Sequence, residues 1–341
     1  MKFFFSLVFI LLVFEGQAAN QTISIDSGRL SGAILDDGVR VFKGIPYAAP
    51  PVGELRWRAP QHLKKWQGIR RATEFGSICP QPSGLAAMSG GLLPKTEEDC
   101  LFLNVWTPAL SSDESLPVMV WIHGGGLFLG WSNQSGYDGQ KIANRGVVLV
   151  SINYRLGALG FLAHPALTKE SGSSGNYGFM DQVAALEWVK RNIRSFGGNP
   201  NQVTIFGESA GGTSVMALLS SPSSKGLVDG AIAQSPWFTE KNVAELSGEA
   251  SAETMGATWT EAIAPGKGLA ALRAIPAEDL VGDGKIDLPM YVTAGGDFLP
   301  SSVESIFARG EQLDVPLIVG TNADEGTMFV AMEGYRTKAD F

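Results

Sequence analysis

Histidine, cysteine and positive charge are scarce in this sequence of 341 residues. It contains three histidines, His62, His123 and His164, and two cysteines, Cys79 and Cys100. Neither cysteine has another Cys or His nearby at ligand spacing, which argues against a metal site and against a disulfide-rich scaffold. The net charge of −8 and the sequence pI of about 5.0 argue against a nucleic-acid-binding surface, so no nucleic-acid partner is expected.

Long hydrophobic stretches are also rare, and the main one lies at the N-terminus. Residues 3–14 are almost entirely apolar and follow Lys2, and residues 16–18 have the small side chains of a cleavage site. This pattern predicts a signal peptide over residues 1–18, a domain over residues 19–341, and a secreted or periplasmic protein. An uncleaved membrane anchor is the alternative, although the stretch is short for a membrane span and no later stretch approaches that length.

Export of the protein would allow its two cysteines to form a disulfide. In an oxidising compartment, Cys79 and Cys100 suggest one disulfide, and two buried free thiols are the alternative. A disulfide between them would close a loop of about 22 residues and stabilise the fold by about 3 kcal/mol if it is unstrained.

The middle of the sequence alternates between two kinds of apolar pattern. Residues 118–122 and 146–152 are continuous apolar runs, which are typical of strands buried on both faces of a sheet. In residues 181–193, apolar side chains recur at helical spacing with charged residues between them. Further apolar runs at residues 231–233 and 315–319 continue the alternation. The pattern predicts an α/β fold with an open sheet covered by helices.

Ser209 lies in a Gly-x-Ser-x-Gly sequence directly after the apolar run at residues 203–206. Gly207 and Gly211 allow a strand and the first turn of a helix to approach closely, because neither has a Cβ atom. Small and apolar residues follow, as in a helix. A strand, this turn and a helix together form a nucleophile elbow, so Ser209 is predicted to be a catalytic nucleophile.

A glycine-rich segment, residues 123–126, follows the apolar run that ends at Ile122. A serine nucleophile needs a base, and it also needs backbone N–H donors where the oxyanion of the tetrahedral intermediate forms. Glycines suit such a loop because a side chain would block the approach of the substrate carbonyl. A simple turn at the end of a strand is the alternative. A phosphate-binding loop is disfavoured because no Gly-Lys-Ser/Thr sequence follows.

These motifs, together with several others, resemble the type-B carboxylesterases, a family that includes cholinesterases and bacterial para-nitrobenzyl esterases. The resemblance extends over nearly all of residues 19–341. The matching segments are residues 42–48, 50–53, 98–105, 123–126, 153–157, 175–182, 196–200 and 207–211.

The resemblance implies an α/β-hydrolase fold, with a central, mostly parallel sheet and helices on both faces, and a serine esterase that acts on small ester substrates through an acyl-enzyme. Ser209 would be the nucleophile. The backbone amides of Gly125, Gly126 and Ala210 would form the oxyanion hole. The acid of the catalytic triad would be Glu325, which lies in an Asp-Glu-Gly sequence after the late apolar run.

The family further implies structural pairings around the site and no metal or organic cofactor. A disulfide would join Cys79 to Cys100. The implied ion pairs are Arg56–Glu98 and Arg155–Asp181.

The sequence departs from the family pattern in its histidines. Family members are usually longer, and their triad histidine follows the glutamate, whereas all three histidines here precede Ser209. We therefore expect the sequence to correspond to the N-terminal two thirds of the family domain, truncated on the C-terminal side. A non-catalytic cholinesterase-like binding protein or an inactive fragment is the alternative. Residues 80–99 contain no tryptophan, so choline specificity has no support, and the oligomeric state is left open.

Overall fold

The structure is a computed structural model that describes residues 22–83, 93–237, 240–242, 251–281 and 291–327. The predicted signal peptide, residues 1–18, lies outside the described residues. The strands, in chain order, are β1 (Thr22–Ile25), β2 (Gly28–Ser31), β3 (Ala33–Ile34), β4 (Arg40–Pro46), β5 (Ile69–Arg71), β6 (Phe102–Thr107), β7 (Leu116–Ile122), β8 (Val148–Ile152), β9 (Gly198–Glu208), β10 (Gly230–Gln234), β11 (Glu240–Asn242), β12 (Val292–Ala294) and β13 (Leu317–Gly320).

The helices lie in the longer segments between these strands. In chain order they are α1 (Gln140–Ala143), α2 (Gly157–Phe161), α3 (Pro165–Ser171), α4 (Tyr177–Asn192), α5 (Ala210–Ser220), α6 (Ala252–Ile263), α7 (Leu269–Arg273), α8 (Ala277–Leu280) and α9 (Val303–Ala308). Among the described residues, no helix is both long enough and apolar enough to cross a membrane.

The central sheet has eight strands in the order β13-β10-β9-β7-β8-β6-β4-β3. The half that runs from β13 to β8 is parallel throughout, and β6, β4 and β3 continue it in antiparallel pairing. Parallel neighbours need crossover connections, and here those connections contain the helices. The predicted α/β-hydrolase fold, with a mostly parallel sheet, is therefore confirmed.

The two faces of the sheet are buried in different ways. On one face, α4 and α5 pack against the sheet and against each other, and they share a large apolar core with alternate side chains of β7, such as Val118 and Val120. The opposite face presents Met119 and Trp121 of the same strand, packed with Trp106 and with Ala143 of α1. The alternation in β7 places every second residue on each face, which is why an almost unbroken apolar run is needed.

Some boundaries differ from those that the apolar pattern predicts. The helix predicted from residue 181 begins at Tyr177, because Asn176 adopts a left-handed conformation with φ 59° and ends the preceding loop. The predicted run at residues 315–319 becomes β13, where Ile318 and Val319 are 67% and 55% exposed. They are exposed because β13 lies at an edge of the described sheet.

The predicted disulfide and ion pairs are present. Cys79 is bonded to Cys100, so of the two alternatives the disulfide is confirmed. The Arg155 guanidinium donates to both carboxylate oxygens of Asp181 at 2.7 Å, and both side chains are buried. A second bidentate pair joins Arg56 to Glu98, at 2.7 and 2.5 Å. The resemblance predicts that these pairs brace the site. Because the pairs are buried, removal of one partner would leave the other charge without a counter-ion.

Candidate active site

The candidate site lies where four parallel strands end together. In the register of β7, β9, β10 and β13, Ile122 lies opposite Gly207, and Gln234 lies between Glu208 and Gly320. Carboxyl ends of neighbouring parallel strands meet at one edge of a sheet, and ligand sites of open α/β sheets form there. The segments that leave these ends carry residues 123–130, Ser209, Ser235 and Glu325.

Ser209 links β9 to α5 in the strand–turn–helix context that the motif predicts. Its backbone has φ 56° and ψ −123°, a region that residues with a Cβ rarely occupy. Ser209 N donates to Gln234 O at 2.8 Å, and Thr213 N donates to Ser209 O at 2.9 Å. Both the backbone N–H and the carbonyl group of Ser209 are therefore hydrogen-bonded, while its side chain stays partly exposed.

The glycines around Ser209 are required by close backbone packing. A Cβ on Gly211 would lie 2.1 Å from the carbonyl oxygen of Ile122, and one on Gly207 would lie 2.7 Å from the same oxygen. Both distances are far inside van der Waals contact. The strand–helix turn can therefore reach this position beside β7 only without side chains at these two residues.

The glycine-rich segment forms a tight loop beside Ser209. Gly125 and Gly126 have φ values of 103° and 61°, and Gly125 O accepts hydrogen bonds from the amides of Phe128 and Leu129 at 3.1 and 2.9 Å. A Cβ on Gly124 would lie 3.3 Å from the Cβ of Ser209, so loop and serine are in direct contact.

Three backbone amides near Ser209 have no hydrogen-bond acceptor within the described part of the chain: those of Gly125, Gly126 and Ala210. Ala210 is the first residue of α5, where helix amides lack an intrahelical partner and the helix dipole is positive. Ala210 follows Ser209 directly, and Gly125 and Gly126 follow Gly124, which lies beside Ser209. The sequence-predicted oxyanion residues therefore belong to two segments that meet at the predicted nucleophile.

Glu325 lies in the segment after β13, across β10 from the Ser209 turn. Its Oε1 accepts a hydrogen bond from the Asn322 amide at 2.6 Å and another from the Ser235 hydroxyl. These two donors lower the pKa of the Glu325 carboxyl group, the amide contributing more, so the group is ionised at neutral pH.

Sequence reasoning missed two polar residues of this edge. Ser235 follows β10 with a φ of 48° and donates to Glu325, a pairing of residues ninety positions apart that no local motif indicates. Glu208 precedes Ser209 inside the elbow motif. Loss of water around its carboxyl group, and then the charge of Glu325, raise the pKa of Glu208. The edge therefore carries two carboxyl groups that influence each other.

None of the three histidines, all of which the structure describes, is hydrogen-bonded to Ser209 or Glu325. His123 is buried, its ring stacks on Tyr154 with centroids 4.4 Å apart, and its Nδ1 lies 2.8 Å from Gly124 O. Burial lowers the pKa of His123 to about 4, which makes it a weak base at neutral pH.

The other two histidines are placed elsewhere. His164 caps α3, where its Nδ1 accepts a hydrogen bond from the Ala166 amide at 3.0 Å. His62 lies on an exposed segment at a separate cleft, with Met180 and Asp297. In the described ranges, no group of three or more His, Cys, Asp or Glu side chains could hold a metal ion.

Comparison with known proteins agrees with this geometry. The model of the carboxylesterase family matches residues 19–340. The chain is 40% identical over 322 residues to the para-nitrobenzyl esterase of Bacillus subtilis (strain 168), covering 91% of the chain and 64% of that relative. It is 42% identical over 313 residues to the fumonisin B1 esterase of Sphingopyxis macrogoltabida, covering 88% and 56%. The chain thus spans about three fifths of the length of these curated relatives.

Solved structures of esterases also resemble this chain. A thermophilic PNB esterase superimposes with a TM-score of 0.81 at 38% identity, over 91% of this chain and 65% of that one. A carboxylesterase of Geobacillus stearothermophilus superimposes with a TM-score of 0.80 at 35% identity, over 92% and 64%.

The backbone of Ser209 leads to a stability prediction. Glycine adopts the φ and ψ of this residue freely, whereas any residue with a Cβ is strained there by about 1–3 kcal/mol. We expect Ser209→Gly to be more stable than Ser209→Ala by about 1 kcal/mol, since glycine loses more entropy on folding and this offsets part of the gain. Urea denaturation of both variants measures the difference. A Ser209→Ala variant that is more stable than Ser209→Gly by about 0.5–1 kcal/mol would show that the turn is not strained.

Burial of His123 predicts a pH dependence. The pKa of His123 is about 4 in the folded state and close to the ordinary histidine value of 6.5 in the unfolded chain. Above pH 6.5 the ring is neutral in both states. As the pH falls from 6.5 to 4, only the unfolded state takes up the proton, so the free energy of unfolding decreases, by up to about 3 kcal/mol.

The control for this effect is His123→Phe, which keeps an aromatic ring against Tyr154 but cannot titrate. Urea denaturation between pH 7 and 4 should show a steeper loss of stability in the wild type than in the variant. Parallel curves for the two proteins would contradict the prediction.

Proposed function

Because the chain belongs to the carboxylesterase family, we propose that it hydrolyses carboxylic esters through a covalent acyl-enzyme on Ser209. One observation carries the proposal: the strained Ser209 turn lies beside a glycine loop, and each of the two segments has backbone amides without an acceptor among the described residues. The family relation supports the reaction type, and the local geometry supports the residue roles. A non-catalytic binding protein is disfavoured because Ser209, Glu325 and the glycines of the loop are all retained.

The proposed chemistry begins with attack of the Ser209 hydroxyl oxygen on the ester carbonyl carbon. The C–O double bond becomes a single bond to an oxyanion, which the amides of Gly125, Gly126 and Ala210 stabilise. Donors of this kind are each worth about 3–4 kcal/mol in the transition state, because they are already oriented before charge develops. A base takes the Ser209 proton and gives it to the leaving oxygen, so the intermediate collapses to the free alcohol and an acyl group on Ser209. Water then adds to the acyl carbon, the serine oxygen leaves and regains a proton, and the acid is released.

Glu325 is the proposed acid of the triad. Its carboxylate is ionised and held by two donors, as expected of a group that orients an imidazole and stabilises the imidazolium. The imidazole that would complete the triad is not one of the three histidines of this sequence, since His123 is a weak base and His164 caps a helix. These 341 residues therefore supply nucleophile, oxyanion donors and carboxylate, without a placed base.

The proposed substrates are small carboxylic esters. The relatives are named for substrates as different as para-nitrobenzyl esters, fumonisin B1 and cocaine, so their names support ester hydrolysis and favour no particular acyl or alcohol group. Activated aryl esters are suitable probes, because their good leaving groups need little help from a general acid. We propose no metal or organic cofactor.

We also propose that the protein is exported, to the periplasm or outside the cell. Two independent features support this: the signal-peptide pattern of residues 1–18, and the disulfide between Cys79 and Cys100, a bond that persists mainly in oxidising compartments.

The proposed function predicts chemical rescue by a small base. We expect free imidazole to accelerate hydrolysis of p-nitrophenyl acetate by the wild-type chain, because it can take the proton that Ser209 releases. Imidazole also cleaves this ester in solution, so the rate with Ser209→Ala at each imidazole concentration is subtracted. Ser112→Ala, which alters an exposed serine between β6 and β7, is the matched control and should behave as the wild type.

The decisive quantity is the part of the rate that depends on Ser209. Wild type and Ser112→Ala should show it, and the tryptic peptide that contains Ser209 should carry an acetyl group during turnover. If Ser209→Ala matches the wild type at every imidazole concentration, ester hydrolysis by this serine is wrong for the chain.

Export predicts a shorter mature protein. We expect protein recovered from the periplasm or the medium to begin at Ala19, because cleavage follows Ala18, and to contain the closed disulfide. Intact-mass spectrometry with and without reductant measures both features. A mass that includes residues 1–18 would contradict cleavage and would favour a retained anchor.

A further inference from the structure

Gln81 lies two residues after Cys79, and its side chain is buried, with 5% of the residue exposed. The side-chain amide engages both backbone groups of Gly130. Its Oε1 accepts from Gly130 N at 2.9 Å, and its Nε2 donates to Gly130 O at 3.0 Å and to Cys79 O at 3.1 Å. The carboxamide is therefore fully used within the protein, and its partners are all backbone atoms.

Gly130 in turn lies directly against the start of the glycine loop. It has a φ of 107°, and a Cβ there would lie 2.5 Å from His123 Nδ1 and 2.6 Å from Gly124 O. Gly124 contacts Ser209, as described above. An unbroken series of contacts thus connects Gln81, through two glycines, with the nucleophile.

The glycine loop, taken as residues 123–130, is hydrogen-bonded to the rest of the described protein at three places. Tyr154 donates from its hydroxyl group to His123 O at 2.8 Å, at the start of the loop. The amide of Gly157 donates to Leu127 O at 2.8 Å, in the middle. Gln81 holds the far end, and it does so with a donor and an acceptor at once, which determines both the position and the tilt of the Gly130 peptide units.

We infer that Gln81 is a positioning residue for the oxyanion hole, which it holds in place through Gly130. The inference rests on the proposed ester hydrolysis. Oxyanion donors act only when they point to where the charge develops, so a small rotation of the loop weakens them without affecting substrate binding in the ground state.

The same contacts give the disulfide a second role. Cys79 O is the third partner of Gln81, and Cys79 is bonded to Cys100, two residues before β6. The disulfide therefore ties the segment that carries Gln81 to the central sheet. Gln81 and the disulfide act together as one brace between β6 and the glycine loop.

The test compares Gln81→Leu with Thr107→Val. Leucine removes all the hydrogen bonds of the Gln81 side chain and keeps an apolar body of similar size. Thr107 is also buried, and its Oγ1 donates to Phe196 O at 2.8 Å and accepts from Ala109 N at 3.1 Å, but it lies at the other end of β6 from the site. Both variants therefore lose buried hydrogen bonds, and only one of them contacts the loop.

Two measurements are made on the full chain. We expect Gln81→Leu to exchange amide hydrogens faster in peptides that cover residues 123–131, and to lower the imidazole-rescued kcat for p-nitrophenyl acetate by about 10- to 100-fold with KM nearly unchanged. Thr107→Val should change neither quantity. Unchanged exchange in Gln81→Leu, or equal effects in Thr107→Val, would overturn the inference.

A third variant, Gln81→Glu, covers the case in which Gln81→Leu does not fold. An ionised glutamate repels Gly130 O, whereas a protonated one donates to it as glutamine does. Relative to wild type at the same pH, loop protection in Gln81→Glu should recover as the pH is lowered from 8 to 5. A constant ratio would overturn the inference.

The exchange data also separate this inference from the proposed function. If the wild type shows no Ser209-dependent hydrolysis while Gln81→Leu loosens residues 123–131, the brace is supported and the reaction is not. If hydrolysis depends on Ser209 but neither exchange nor kcat responds to Gln81→Leu, the reaction stands and the role of Gln81 is wrong.

Discussion

The carbonyl oxygen of Ile122 fills the space in which a side chain on Gly211 would stand, and the geometry of the site follows from this contact. The absence of a side chain on Gly211 allows the end of β7 to lie against the turn between β9 and α5. As a result, the loop after β7 lies beside Ser209 and the first turn of α5. The oxyanion hole proposed above needs this close approach, because its donors come from both segments.

Buried polar contacts behind the site keep these backbones in register. Gln182 of α4 donates to the Ser214 hydroxyl at 3.0 Å, and Ser214 donates to Ala210 O at 2.8 Å in the first turn of α5. Tyr154, after β8, holds His123 O on the other side. Buried hydrogen bonds of this kind determine relative positions more strictly than apolar packing does, because each misplaced partner leaves a buried group unpaired.

Much of this arrangement was predictable from the sequence, because it depends on local patterns. Apolar runs indicate the parallel strands, and the glycine spacing around Ser209 indicates a strand–turn–helix unit. Ser235 and Gln81 were not predictable in this way. Each acts on a residue far away in the chain, and neither belongs to a pattern that reports the contact. The antiparallel pairing of β6, β4 and β3 was not predictable from apolar runs either, since short strands such as β3 carry little periodic signal.

The strand order has a consequence for how the protein is made. β9, which ends directly before Ser209, pairs on one side with β7, synthesised earlier, and on the other with β10, synthesised later. During vectorial synthesis the glycine loop leaves the ribosome long before the strand it must rest against. Cys79 and Cys100, by contrast, are both complete before β7 emerges. The cross-link can therefore close on a nascent chain that still lacks the centre of its sheet, and the edge that carries Ser209 and Glu325 takes its shape last.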